Sequence, residues 1–164
     1  MRTSKATFSR SAVLLWTGDV TRGTGQIDAS SGAFSAAATF PRLSGEPVRT
    51  TTPEELLAAS HAVCFGIGLR SVLAQRGGTA TRLGITATIT AEKSGGRIQI
   101  IASQLEAIVE GLAGIEPAML DEIAREAEEA CTISALLRRS VPITVTVQST
   151  ETPGRIVNSE FRSV

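Results

Sequence analysis

What this sequence lacks narrows it first. It has no net charge, since Lys+Arg and Asp+Glu both number 16. No overall field therefore recruits nucleic acid or an anionic membrane. Only two cysteines are present, 67 positions apart, and this spacing is not a zinc-ligand pattern. A reducing cytosol also disfavours a permanent bridge between them, which leaves inert core thiols or redox chemistry. There is a single histidine. The amino-terminal stretch MRTSKATFSRSAVLLW has an apolar run only from Ala12 to Trp16, too short for a secretory core or a membrane span. Without an export or membrane signal, a cytoplasmic location is expected. Internal repeats and low-complexity segments are absent too.

What is present suits a soluble globular chain: 42% of residues are hydrophobic and 20% charged. A chain of 164 residues is expected to form one compact domain, burying roughly two thirds of its unfolded surface. We assign residues 1–150 to that domain and 151–164 to a polar tail of unknown role.

Residues 7–20 read as a strand ending in a Gly-Asp turn. GTGQIDASSGAFSAAATF then reads as two short strands joined at Ser30-Ser31-Gly32. PRLSGEPVRTT, with two prolines and a glycine, is a loop. The helix over 51–76 has the clearest start in the chain. Thr52 is placed to cap it, Pro53 fits the first helical position, and Glu55 stands three residues after the cap in a capping box. Gly77-Gly78 stops it.

Beyond the helix, LGITATITAEKSGGRIQIIASQLEAIV patterns as a hairpin turning at Ser94-Gly95-Gly96. EPAMLDEIAREAEEA is an amphipathic helix with Met119, Leu120, Ile123, Ala127 and Ala130 on one side. A short helix, CTISALLRR, and an alternating strand, VPITVTVQ, complete the domain. The class is α+β. A helix apolar on every side needs cover from two directions, so a dimer is expected.

Taken singly, either thiol is more commonly a core-packing group. Their surroundings differ, however. Cys131 follows REAEEA, where Glu128, Glu129 and the negative end of a helix disfavour a thiolate. If it instead caps the next helix, the sign reverses, and the sequence leaves both readings open. Cys64 has no acid within one turn; its neighbours are Ser60, His61 and Gly68, small or polar. A buried thiol becomes a nucleophile when a cation helps it ionise. His61, one turn away, is one candidate and would imply a cysteine hydrolase, although a lone histidine among apolar residues is more often a satisfied core group. Arg22 in TRGTG and Arg42 in FPRLSG, both beside turns, are the others.

TTPEELLAASHAVCF resembles the signature of the OsmC/Ohr family, the osmotically inducible and organic-hydroperoxide-resistance proteins, whose members carry a close variant of NPEELLAAAHAACF. The resemblance continues in WTGDVTRGTGQIDASSG and AEEACTISALL, covering roughly residues 12–148, and fits the OsmC branch better than the Ohr branch. It implies an OsmC-like fold of antiparallel sheets wrapped around a central buried helix, in an intertwined homodimer with active sites at the interface. It also implies a thiol peroxidase that reduces organic hydroperoxides without metal, haem or other cofactor. A dithiol, of dihydrolipoyl type, would then regenerate it.

Matched by motif, Cys64 takes the peroxidatic position, Cys131 the resolving one and Glu54 that of the family's glutamate. Arg42 corresponds to the OsmC-type arginine, with Arg22 second. Thr132 stands where a proline is usual. A member of this fold that only binds, or only supports structure, with both thiols packed, is the alternative. Ten residues of helix place Glu54 about 15 Å from Cys64. If the two act together, Glu54 must come from the partner chain.

Overall fold

A computed structural model describes residues 6–40 and 49–151. Arg42 and the tail from residue 152 onward lie outside the described residues. The chain divides into two compact units, Met1–Leu56 and Leu57–Val164.

The first unit holds β1 (Ala12–Thr17), β2 (Thr24–Ala29), β3 (Ser35–Ala38) and β4 (Thr50–Thr51) in that spatial order. β1, β2 and β3 are antiparallel, and the expected Ser30-Ser31-Gly32 turn joins the last two. After β1 the chain reverses through Gly18, at φ +90°, and Asp19. The Asp19 carboxylate accepts the backbone N–H groups of Thr21 and Arg22 at 2.9 and 2.7 Å. Gly23 is needed to close this turn: a Cβ there would strike the Asp19 carbonyl and the Trp16 indole nitrogen.

α1 (Pro53–Gln75) starts as its sequence dictates. Thr52 Oγ1 accepts the Glu55 N–H at 3.4 Å. The return half of the capping box differs, because the Glu55 carboxylate accepts the Thr51 hydroxyl at 2.6 Å instead. At the other end Gly77 adopts φ +80°. Gly78 N–H then reaches Leu73 O and Gly77 N–H reaches Ala74 O, a Schellman stop.

The second unit carries β5 (Arg82–Ser94), β6 (Arg97–Glu110), α2 (Leu120–Ala130), α3 (Thr132–Leu137) and β7 (Ile143–Thr150). β5 and β6 form the expected hairpin. Its two-residue loop, Gly95-Gly96, has positive φ at both positions, which matches the twist of the strands it joins. Antiparallel pairing gives way at one edge of each sheet, where β4 runs parallel to β3 and β7 parallel to β6. β7 can run parallel because the α2–α3 pair returns the chain to the starting end of β6.

The core of this unit joins one stripe of α1 (Phe65, Leu69, Val72, Leu73) to Leu105 and Val109 of β6 and Leu120, Ile123, Ala124 and Ala127 of α2. On α2 the buried face takes in Ala124 and Glu128, while Ala130 is exposed. The apolar side therefore sits one step round from where the sequence pattern sets it. α1 is long and apolar enough to cross a membrane. Here its buried stripe fills a protein core, and the far side leaves Val63 and Ile67 62% and 68% exposed.

Candidate active site

Two sulfurs meet where α1 passes the junction of α2 and α3. Cys64 sits half-buried in the middle of α1, and Cys131 is buried. The Cys131 thiol donates to Cys64 Sγ at 2.8 Å, with both cysteines reduced. Disulfide bond length is about 2.05 Å, so less than an ångström of approach separates the thiol pair from a covalent link.

Both alternatives that the sequence leaves open for Cys131 hold at once. It ends α2, with its N–H on Glu128 O, and it caps α3, with its sulfur accepting the Ser134 N–H at 3.4 Å. The acidic neighbours matter less than expected, because Glu128 is held by Arg138 at 2.6 Å and Glu129 is exposed. Burial pushes the Cys131 thiol up, and the adjoining Cys64 sulfur pushes it further.

Cys64 goes the other way. Burial alone would raise it, but four donors outweigh that: the Cys131 thiol, the backbone N–H of Ile133, and the hydroxyl and N–H of Thr132. Thr132 Oγ1 lies 3.5 Å from the sulfur. Among the described residues these donors are all neutral, so what favours the thiolate there is hydrogen bonding. Of the two thiols, Cys64 is the better nucleophile and Cys131 the reserve.

His61 does not serve Cys64. Its Nδ1 is 2.9 Å from Ser103 Oγ and its Nε2 2.8 Å from Ser134 Oγ, and it is fully buried. Both nitrogens are thus occupied by hydroxyls from β6 and α3, which removes the basis of the hydrolase reading. Burial lowers its pKa, partly offset by the charge of Glu128.

The remaining expected residues lie elsewhere. Glu54 stands in the first turn of α1, and its Oε2 is buried with no hydrogen-bond partner among the described residues. Arg22 is exposed on the turn after β1. Both belong to the first unit and the thiols to the second. Of the apolar residues beside Cys64, Phe65 is a core residue at 0% exposure and lines nothing. Val63 and Ile67 instead border an open groove of about 490 Å³ with Gly66, Arg70, Leu83 and Ile85.

Residue-type reasoning passes over Thr132, Ser134 and Ser103. The first two are signalled by position, at the start of a helix capped by Cys131. Ser103 has no local signal, since only strand register brings it under α1.

The fold and site define an α+β protein with a hydrogen-bonded thiol pair under a long apolar helix, and comparison with known proteins gives it a lineage. The OsmC-like protein family matches residues 45–146. Peroxiredoxin OsmC of Escherichia coli (strain K12) is 31% identical over 136 residues, which is 82% of this chain and 93% of that protein. The chain belongs to the OsmC-like protein family. Among solved structures, an organic hydroperoxide resistance protein from Elizabethkingia anophelis matches with a TM-score of 0.71 at 20% identity, over 90% of this chain and 100% of that one. An organic hydroperoxide resistance protein OsmC from Legionella pneumophila matches with a TM-score of 0.69 at 23% identity, over 88% and 99%. These last two share the fold.

Proposed function

We propose that this chain is a cysteine-based peroxidase that reduces organic hydroperoxides to alcohols. The observation that carries the reading is the 2.8 Å approach of two reduced sulfurs, of which the more accessible is the better acid. The Cys64 thiolate attacks one peroxide oxygen, an S–O bond forms as the O–O bond breaks, and the alkoxide leaves as alcohol with a proton. Cys131 then attacks the sulfenic sulfur, forming the disulfide and expelling water. A dithiol of dihydrolipoyl type restores both thiols, in a cytoplasmic setting.

Arg42, with Arg22 as second choice, is the guanidinium that steadies the thiolate and binds the peroxide oxygens. Glu54 orients it. A buried carboxylate oxygen with no partner among the described residues calls for one, and a guanidinium is the group that suits it. Since helical rise separates Glu54 from Cys64 by about 15 Å, the glutamate acts on the sulfur of a second copy. A homodimer follows, and the exposed Val63 and Ile67 give it an apolar seam. The groove they border favours alkyl peroxides over hydrogen peroxide.

The test is to mix reduced protein with cumene hydroperoxide and count free thiols. Loss of two thiols per chain as an intramolecular disulfide is expected. No loss overturns the reading in favour of a binding or structural protein.

A further inference from the structure

His61 has no part in the reaction just described, yet it is fully buried at the back of the thiol pair. A continuous path of polar groups connects it to Cys131. Its Nε2 is 2.8 Å from Ser134 Oγ, and Ser134 is itself fully buried. Ser134 reaches the Cys131 sulfur through its N–H at 3.4 Å, and its hydroxyl favours the ionised form of the same sulfur. On the far side, Nδ1 meets Ser103 Oγ at 2.9 Å. If Nδ1–H donates to Ser103, Nε2 is left bare as an acceptor facing Ser134.

The need for such a path arises when Cys64 is oxidised. In the reduced protein the Cys131 thiol donates to Cys64. Once Cys64 is capped as a sulfenic acid or a mixed disulfide, that anionic acceptor is gone. Cys131 must still lose its proton to attack. It is buried, and burial alone holds its proton on.

We infer that Ser134 and His61 form a proton relay for Cys131, in which the Ser134 hydroxyl takes the thiol proton as the sulfur attacks and passes its own to Nε2 of His61. In the peroxide cycle the S–H of Cys131 and the S–OH of Cys64 become a disulfide and water. The proton held at Nε2 returns along the same hydroxyl to the departing hydroxide, so the relay carries no net charge over a turnover. His61 is on this view a positioning residue, acting through Ser134 on the second thiol only. The charged and titratable groups around it are Cys64 on its own helix, Cys131 at the head of α3, and Glu128 of α2 with its partner Arg138. The carboxylate of Glu128 favours the transient imidazolium.

The role of the relay in turnover rests on the peroxidase reading, but the relay itself can be tested without peroxide. 2,2′-Dipyridyl disulfide reacts with Cys64 to release one pyridine-2-thione and leave a mixed disulfide. Cys131 then displaces the second thione and closes the Cys64–Cys131 bond. Stopped-flow absorbance should resolve two phases in the wild type. His61→Gln and Ser134→Ala should slow the second at least tenfold and leave the first within threefold. Ser134→Thr, which keeps a hydroxyl, should restore it. The wild-type second phase should slow as pH falls and His61 protonates, and this acid limb should vanish in His61→Gln.

An unchanged second phase in both variants overturns the relay, as does equal slowing of both phases, failure of the threonine to rescue, or release of a single thione by the wild type. Inactivity toward cumene hydroperoxide would instead remove the peroxidase reading and leave this result standing.

Discussion

Thr132 places its hydroxyl 3.5 Å from the Cys64 sulfur across the gap between α3 and α1, and its backbone N–H supports the same atom. A side chain 68 positions away in the sequence thus helps set the acidity of the nucleophile. Thr132→Val removes one donor and Thr132→Pro removes both. Proline is tolerated at the first position of a helix, so the second variant should fold. Alkylation of Cys64 by iodoacetamide at neutral pH should slow in the order wild type, Thr132→Val, Thr132→Pro, by up to about tenfold, in line with the net worth of a hydrogen bond or two. The rate-against-pH profile should move upward in the same order.

Cys131→Ala tests the largest of the favourable contributions to the Cys64 thiolate. Without the thiol donor the alkylation profile should again move to higher pH, and the neutral-pH rate should fall several-fold. A profile unchanged from the wild type would mean that the sulfur–sulfur hydrogen bond does not tune Cys64.

For His61 the linkage sign is definite. Its pKa is lowered on folding, so the unfolded chain binds its proton first as pH falls. Nothing is gained or lost above the unfolded value near 6.5. Below it, stability drops by at most about 1.4 kcal/mol per pH unit. Urea unfolding at pH 8 and at pH 5 should show this decline in the wild type. In His61→Gln the protein should be weaker at pH 8, having lost a buried hydrogen-bond pair, yet the decline toward pH 5 should be shallower.

Two ion pairs should separate clearly in melting experiments. Arg82 grips Glu110 through Nε and Nη2, at 2.8 and 2.6 Å, and the Glu110 side chain is only 5% exposed. Arg82→Met removes both of these bonds from a carboxylate that is almost fully buried, a loss tempered by the half-exposure of Arg82 itself. A Tm loss of several degrees follows. Replacing Arg76, paired with Glu122 and Glu126 on the surface, by methionine should lower the Tm distinctly less.

The proposed dimer and its arginine are each open to one substitution series. Ile67→Glu puts a charge on an already exposed position, so the monomer fold should survive while sedimentation mass halves and peroxide turnover falls at least tenfold. Separately, Arg42→Lys should slow Cys64 oxidation by cumene hydroperoxide more than Arg22→Lys does, because a lysine cannot reproduce the bidentate fork. The opposite ranking transfers the role to Arg22.

By itself the sequence determined the elements whose causes are local. Thr52, Pro53 and Glu55 start α1, Gly77-Gly78 end it, Gly95-Gly96 turn the hairpin, and alternating Ile and Thr residues make β5 a strand. Each of these depends on side chains within a few residues of one another, which is the range over which capping, turn geometry and periodicity operate. The motifs around Cys64 and Cys131 also carry the family resemblance in the sequence itself.

Only the tertiary structure decided what surrounds those cysteines. Burial and hydrogen bonding to a sulfur depend on which distant segments pack beside it, and neither pairing register nor helix crossing is written in a local pattern. That is why β4 and β7 turned out parallel, why Ala130 faces outward while Ala124 and Glu128 face in, and why His61 bonds Ser103 and Ser134 instead of Cys64. It is also why the thiolate of Cys64 is favoured by Thr132, Ile133 and Cys131, neutral donors brought to it by the meeting of three helices.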